Sequence, residues 1–174
     1  MVGRIGIALI TTAFLLPLQV MAQKGGRSSF DAPEKAAIKQ LFERYSAAFS
    51  SKDYVKLREY LQVPFVRFGP SNTRVETAPA DWAILPTMDE AINFYRAAQD
   101  ALATQGVERF EWGQTRITAL SVDRALVNKT YRRYRKDRTL LQEAASFYLV
   151  SKSSGSWKIC GILNQDLREF GKVY

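Results

Sequence analysis

Apolar positions along this chain keep two rhythms, one in each half. In the first, Ile38, Leu41, Phe42, Tyr45, Ala48 and Phe49 recur at the three-and-four spacing that lines one face of a helix. Asp31 before them is a good N-cap, and Pro33 and Glu34 suit a first turn whose amides are unpaired and whose dipole favours an acid. The pattern predicts a helix over about 32–50. Ser50-Ser51-Lys52 interrupts it, and Asp53 opens a second short helix with Tyr54, Leu57, Tyr60 and Leu61 as its apolar side. Val63 to Phe68 reads as a short strand, placed at a sheet edge by Pro64, which has no N–H for a central ladder. From Gly69 to Pro86 three prolines break any period, predicting a long irregular loop whose Trp82 folds back onto the body. Thr87 to Glu90 spells a capping box. Ala91, Ile92, Phe94, Tyr95, Ala98 and Leu102 then mark a helix over about 87–104, ended by Gly106.

After Gly106 the rhythm changes to two. Four strands follow, Arg109–Val122, Asp123–Asp137, Thr139–Lys152 and Gly155–Leu163, joined by short turns. Phe110 and Trp112 fall on a different parity from Ile117 and Ala119, which predicts a bulge near Gly113-Gln114. In the second strand Ala125, Val127, Lys129, Tyr131, Arg133 and Arg135 share a face that begins apolar and ends charged. That gradient is expected where a bent sheet leaves the core. Helices first and long antiparallel strands afterwards predict an α+β fold, a strongly bent sheet wrapped around N-terminal helices.

The start of the chain predicts export. Arg4 precedes a mostly apolar, uncharged run from Ile5 to Val20, and Val20-Met21-Ala22 offers a cleavage site. The run is shorter than the roughly 20 apolar residues that span a bilayer, and Thr11, Thr12 and Pro17 interrupt it. The expected organisation is a signal peptide over 1–22, a flexible lead-in over 23–31 and a single domain over 32–174. The expected location is periplasmic or secreted, with no stable membrane anchoring after cleavage. A domain of that size needs no disulfide staple, and Cys160, the one cysteine, is expected as a small buried hydrophobe. The net charge of +8 fits general solubility first and an anionic lipid, polymer or acidic ligand second, since the charges are spread out except for a cluster at Arg132, Arg133, Arg135, Lys136 and Arg138. No nucleic-acid motif accompanies it, so no nucleic-acid partner is expected.

Three stretches carry a resemblance: IKQLFERYSAAFSSKDYVKLREYL, DRALVNKTYRRYR and FYLVSKSSGSWKICGIL. With the element order above, they resemble the nuclear-transport-factor-2-like superfamily, which includes SnoaL-like polyketide cyclases and ketosteroid-isomerase-like proteins. The resemblance runs from about Pro33 to Leu163. It implies a cone whose sheet wraps the helices around a cavity, often a ligand pocket. It also implies a homodimer through the open sheet face. Members include isomerases, dehydratases, epoxide hydrolases, cyclases and proteins of no known reaction, and secretion-assembly factors carry tethered periplasmic versions.

The chemistry is bounded by an absence. The chain has no histidine, which removes the side chain that titrates near neutrality and with it histidine-based dehydration, serine–histidine hydrolysis and histidine metal sites. One cysteine makes no zinc site. The strand acids Glu111 and Glu143 are expected to face solvent or pair with arginines, and no catalytic residue, metal ligand or cofactor is expected. The candidate ligand site has aromatic walls from Tyr45, Phe65, Tyr95 and Trp112, Trp82 as a lid, and Tyr131 and Arg133 as polar contacts. The favoured function is binding of a small molecule, an acidic one included, or of a partner over the cone, without catalysis. The alternatives are a cofactor-free isomerase, cyclase or hydrolase using Glu, Tyr and Arg, and a membrane-tethered secretion-assembly scaffold.

Overall fold

The computed structural model describes residues 30–68 and 82–166. The expected signal peptide, most of the lead-in and residues 69–81 and 167–174 lie outside the described residues. Helix α1 spans Ala32–Ser50, and the Asp31 carboxylate accepts from the Glu34 N–H at 2.9 Å. Its buried face holds the six apolar residues whose spacing predicts it. Helix α2, Tyr54–Tyr60, is capped by Asp53 in the same way. Strands β1 (Leu61–Phe68) and β2 (Trp82–Leu85) precede helix α3, Met88–Thr104, which starts with the capping box of Thr87 and Glu90. Strands β3 (Arg109–Ser121), β4 (Arg124–Tyr134), β5 (Leu140–Ser153) and β6 (Ser156–Asp166) complete the domain.

The six strands form one sheet in the order β2-β1-β6-β5-β4-β3. Every pairing is antiparallel except β1 with β6. The helices lie on one face, and the register slips between Trp112 and Thr115, where the parity change predicts a bulge. A second slip falls between Leu149 and Val150 on β5. Such slips bend strands, so the sheet curls over the helices. This is the α+β cone. Its core runs from Ile38 and Phe42 on α1 through Tyr148 on β5 to Ile92 and Tyr95 on α3. Phe42 meets Tyr148 edge-on at 4.9 Å between ring centres. Glu34 ties the start of α1 to the sheet, accepting from Lys152 Nζ at 2.5 Å and Trp157 Nε1 at 2.6 Å.

Four expectations are corrected. Strand β1 is not an edge: it lies between β2 and β6. Pro64 is tolerated there because it falls in the register gap between Leu61 and Val66 on the β6 side, and β2 begins pairing only at Phe65. The stretch expected to be wholly irregular contains β2. The charged end of β4 does not leave the core, since Lys129 and Arg133 are both buried alongside Val127 and Tyr131. Phe30, expected in the flexible lead-in, is buried edge-on against Trp157 at 5.2 Å.

Candidate functional site

Between α3 and the curled sheet lies a cavity of about 530 Å³, within the range of small-molecule pockets. Strand parity decides who faces it. On β3 and β4 the inward residues Phe110 and Trp112 pair across strands with Arg133 and Tyr131. Ser146 and Tyr148 follow on β5, Ile162 on β6 and Arg67 on β1. Helix α1 adds Tyr45 and Phe49, and α3 adds Phe94, Tyr95 and a stripe of small residues that lets the rings approach. Phe110 and Trp112 stack at 5.7 Å, and Phe49 meets both edge-on. The Trp112 indole is fixed by donating to Ser50 Oγ at 2.9 Å.

Two hydrogen-bonded groups stand in the polar part of the wall. Arg133, only 4% exposed, donates through Nη1 to Gln142 Oε1 at 2.5 Å and through Nη2 to the Tyr131 hydroxyl at 3.2 Å. Its guanidinium lies 5.0 Å from the Tyr131 ring centre and 5.7 Å from that of Phe110, faces that attract a cation. Ser146 Oγ donates to the Tyr131 hydroxyl at 3.4 Å, and the Tyr45 hydroxyl donates to that of Tyr95 at 3.3 Å. Burial pushes the phenols of Tyr45, Tyr95 and Tyr148 well above their ordinary value, because a phenolate there would lose its water. They are neutral hydroxyl donors at physiological pH.

Carboxylates are scarce in this wall. Among the described lining residues only Glu90 carries one, and it is held by the Thr87 N–H and hydroxyl at 2.9 and 2.8 Å. Glu111 and Glu143 stand on the outer face of the sheet with Arg132, 3.8 and 2.5 Å from it. Lys129, on the inward row of β4, donates to Thr115 Oγ1 at 3.1 Å and lies 5.5 Å from the Trp112 ring centre. Burial lowers its pKa. No cluster of metal-ligating side chains occurs among the described residues.

Of the seven site residues expected from sequence, Tyr45, Tyr95, Trp112, Tyr131 and Arg133 line the cavity. Phe65 does not: it is fully buried behind the wall, packed on Phe94 and Tyr95. Trp82 is not a lid. It is 55% exposed because β2 turns Ala83 and Leu85 toward the cavity and alternation sends Trp82 and Ile84 the other way. The sequence reading omits Phe49, Arg67, Phe94, Phe110, Ser146 and Tyr148 from the site. Three of them carry a usable signal, since Phe49 shares the helical face of Tyr45, Phe110 the parity of Trp112, and Arg67 the parity of Phe65.

The family described as NTF2-like protein (DUF6841) matches residues 33–167. The chain belongs to this family. No curated protein matches the sequence. Among solved structures, this NTF2-like chain is similar to an NTF2-like protein of unknown function from Pseudomonas putida. That match has 16% identity, covers 79% of this chain and 89% of the other, and has a TM-score of 0.62. A ketosteroid isomerase-like protein from Erwinia carotovora atroseptica matches at 20% identity, 79% and 98% coverage and a TM-score of 0.56. A Nostoc punctiforme protein of unknown function with a cystatin-like fold gives 14% identity, 80% and 95% coverage and 0.60. At such identities the likeness is one of fold alone.

Proposed function

We propose that this NTF2-like protein binds a small acid with an aromatic or similarly flat apolar body in its cone, without catalysis. The observation that carries the reading is Arg133, a buried guanidinium that faces a cavity walled largely by apolar and aromatic side chains. An arginine offers a carboxylate two parallel donors, and its Tyr131 neighbour adds a hydroxyl beside it. Phe110, Trp112 and Tyr95 supply flat surface for the body of the ligand. The described lining holds no disengaged carboxylate to serve as general base, and the chain has no histidine, which favours binding over proton-transfer chemistry.

The test uses 2-naphthoate and its neutral amide, titrated calorimetrically. The acid should bind the wild type more tightly than the amide. Arg133→Met should lose roughly 10- to 150-fold in affinity for the acid, the equivalent of 1.5–3 kcal/mol for a hydrogen bond to a charged group. Affinity for the amide should change much less. Equal affinity of the wild type for acid and amide would sink the reading.

Two further parts of the proposal concern context. Export rests on Arg4 and the Ile5–Val20 run, and N-terminal sequencing of the protein from its native host should find Gln23 first. Self-association rests on the outer sheet face, where Trp82, Ile84 and Phe68 are each about half exposed. Among the described residues no helix is long and apolar enough to cross a membrane.

A further inference from the structure

We infer that Lys129 forms an imine with a small neutral aldehyde in the gap between α1 and β3, a second site outside the cone. Lys129 is 5% exposed and is not among the residues that line the cavity. Its amine donates to Thr115 Oγ1 across the β3–β4 pair and lies over the Trp112 ring. An ammonium has three donors. Among the described residues this one has a single hydrogen-bond acceptor and no carboxylate within ion-pair distance. Burial holds its pKa below the ordinary lysine value, so a larger share of it is free amine at neutral pH. A desolvated amine of this kind is a nucleophile toward carbonyl carbon.

Helix α1 brings a second polar group to the same place. Glu34, near its start, is tied to Lys152, whose N–H bonds the Asp123 carbonyl in the β3–β4 turn. Ser50, at its end, accepts from Trp112 Nε1. The helix therefore runs against β3, and a step back from Ser50 moves toward Thr115 and Lys129. Ser46 is one turn back on that flank, about 6 Å along the axis. It is 6% exposed, and among the described residues its hydroxyl has no hydrogen-bond partner, a condition rare in protein interiors. Glu43 follows on the same flank, exposed, and its charge bears on the amine. Thr115 and Ile117 have helix-facing parity yet are only half-buried and do not line the cavity. The gap between α1 and this edge strand is open to water there. An acid at the mouth disfavours an anion, and an amine at the floor favours an uncharged electrophile. The nitrogen adds to the aldehyde carbon, and its proton passes to the carbonyl oxygen through the Ser46 hydroxyl. The carbinolamine then loses that hydroxyl with the remaining N–H proton as water. A C=N bond is left, with no change of oxidation state.

The experiment treats the protein briefly with acetaldehyde and sodium cyanoborohydride at neutral pH, the borohydride supplying the hydride that fixes each imine as an ethyl mark. Peptide mass spectrometry reads the rate at every lysine. Lys129 should be marked roughly tenfold faster than the exposed Lys35, Lys39, Lys52, Lys56 and Lys136, because those amines stay protonated. Access alone predicts the reverse order, so Lys129 marked last, or at the pace of the others, overturns the inference. Ser46→Ala should cut the lead of Lys129 by about three- to tenfold and leave the exposed lysines unchanged, with circular dichroism confirming the fold. An unchanged lead in that variant takes the hydroxyl out of the proton path. The ranking of lysines in the wild type stands even if the variant fails to fold.

Discussion

Arg133 sits where solvation alone would not put it. Taking a guanidinium out of water costs several kcal/mol, and Gln142, Tyr131 and two ring faces are among the groups that offset that cost. Replacing Arg133 alone leaves the Gln142 oxygen without its donor, a loss of about 1–3 kcal/mol for a buried polar group. Arg133→Met should therefore lower the melting temperature by a few degrees while acid binding falls, and differential scanning calorimetry beside the titration reads both. Unchanged acid affinity in a folded variant would take the side chain out of the site. The three buried tyrosines make a second prediction. Their folded pKa values are raised, so stability is fully present below the ordinary phenol value of about 10 and falls as pH rises beyond it. Spectrophotometric titration should show three of the eight tyrosines ionising only as the fold is lost. Trp82→Ala should leave acid affinity unchanged, because its ring faces away from the cavity.

Among the elements, the close approach of β1 and β6 is the least forgiving. A Cβ at Gly161 would meet the Val66 carbonyl oxygen at 3.1 Å and the Leu149 Cβ at 3.5 Å. Gly161→Val should destabilise by about 1–3 kcal/mol through overpacking, measured by urea unfolding. Gly161 also shows what the sequence can and cannot tell. It stands in a run whose strand character was readable from Trp157, Ile159 and Ile162, but its partner strand was not, because β1 lies about a hundred residues earlier. Both long helices were legible from spacing and caps, since those signals are local. The bulge after Trp112 was legible as a parity slip. Strand β2 was not: Trp-Ala-Ile-Leu is too short to show alternation, and only its pairing with β1 makes it a strand. The error at Trp82 follows from that, because the direction of a side chain depends on strand parity. Tyr131 and Arg133 are legible in the sequence because they share a long strand with one parity.

At the scale of the molecule, the side of the sheet away from the helices carries two cross-strand rows. One runs Ile84, Val66, Gly161, Leu149, Leu126, and the other Trp82, Phe68, Leu163, Phe147. Directly opposed residues share a face, so these rows form one apolar surface interrupted only at the glycine. A second copy, related by a twofold axis, would cover it with the same rows. Sedimentation velocity should find a dimer, and the Trp82→Glu, Ile84→Lys pair should shift it to monomer; a monomeric wild type removes the homodimer. The two faces of β2 meet here, because the strand that presents Trp82 and Ile84 outward also presents Ala83 and Leu85 to the cavity. Among the described residues strand β2 pairs along one side only, through four residue pairs with β1, and edge strands of that length detach at far lower cost than the whole fold. That makes β2 a clock. The residence time of a bound acid would be set by how often this strand lets go, so variants that loosen β2 should speed association and dissociation together and leave the equilibrium nearly unmoved. In amide exchange, Ala83 and Leu85 should slow when acid is added and slow again when the protein is concentrated into dimer.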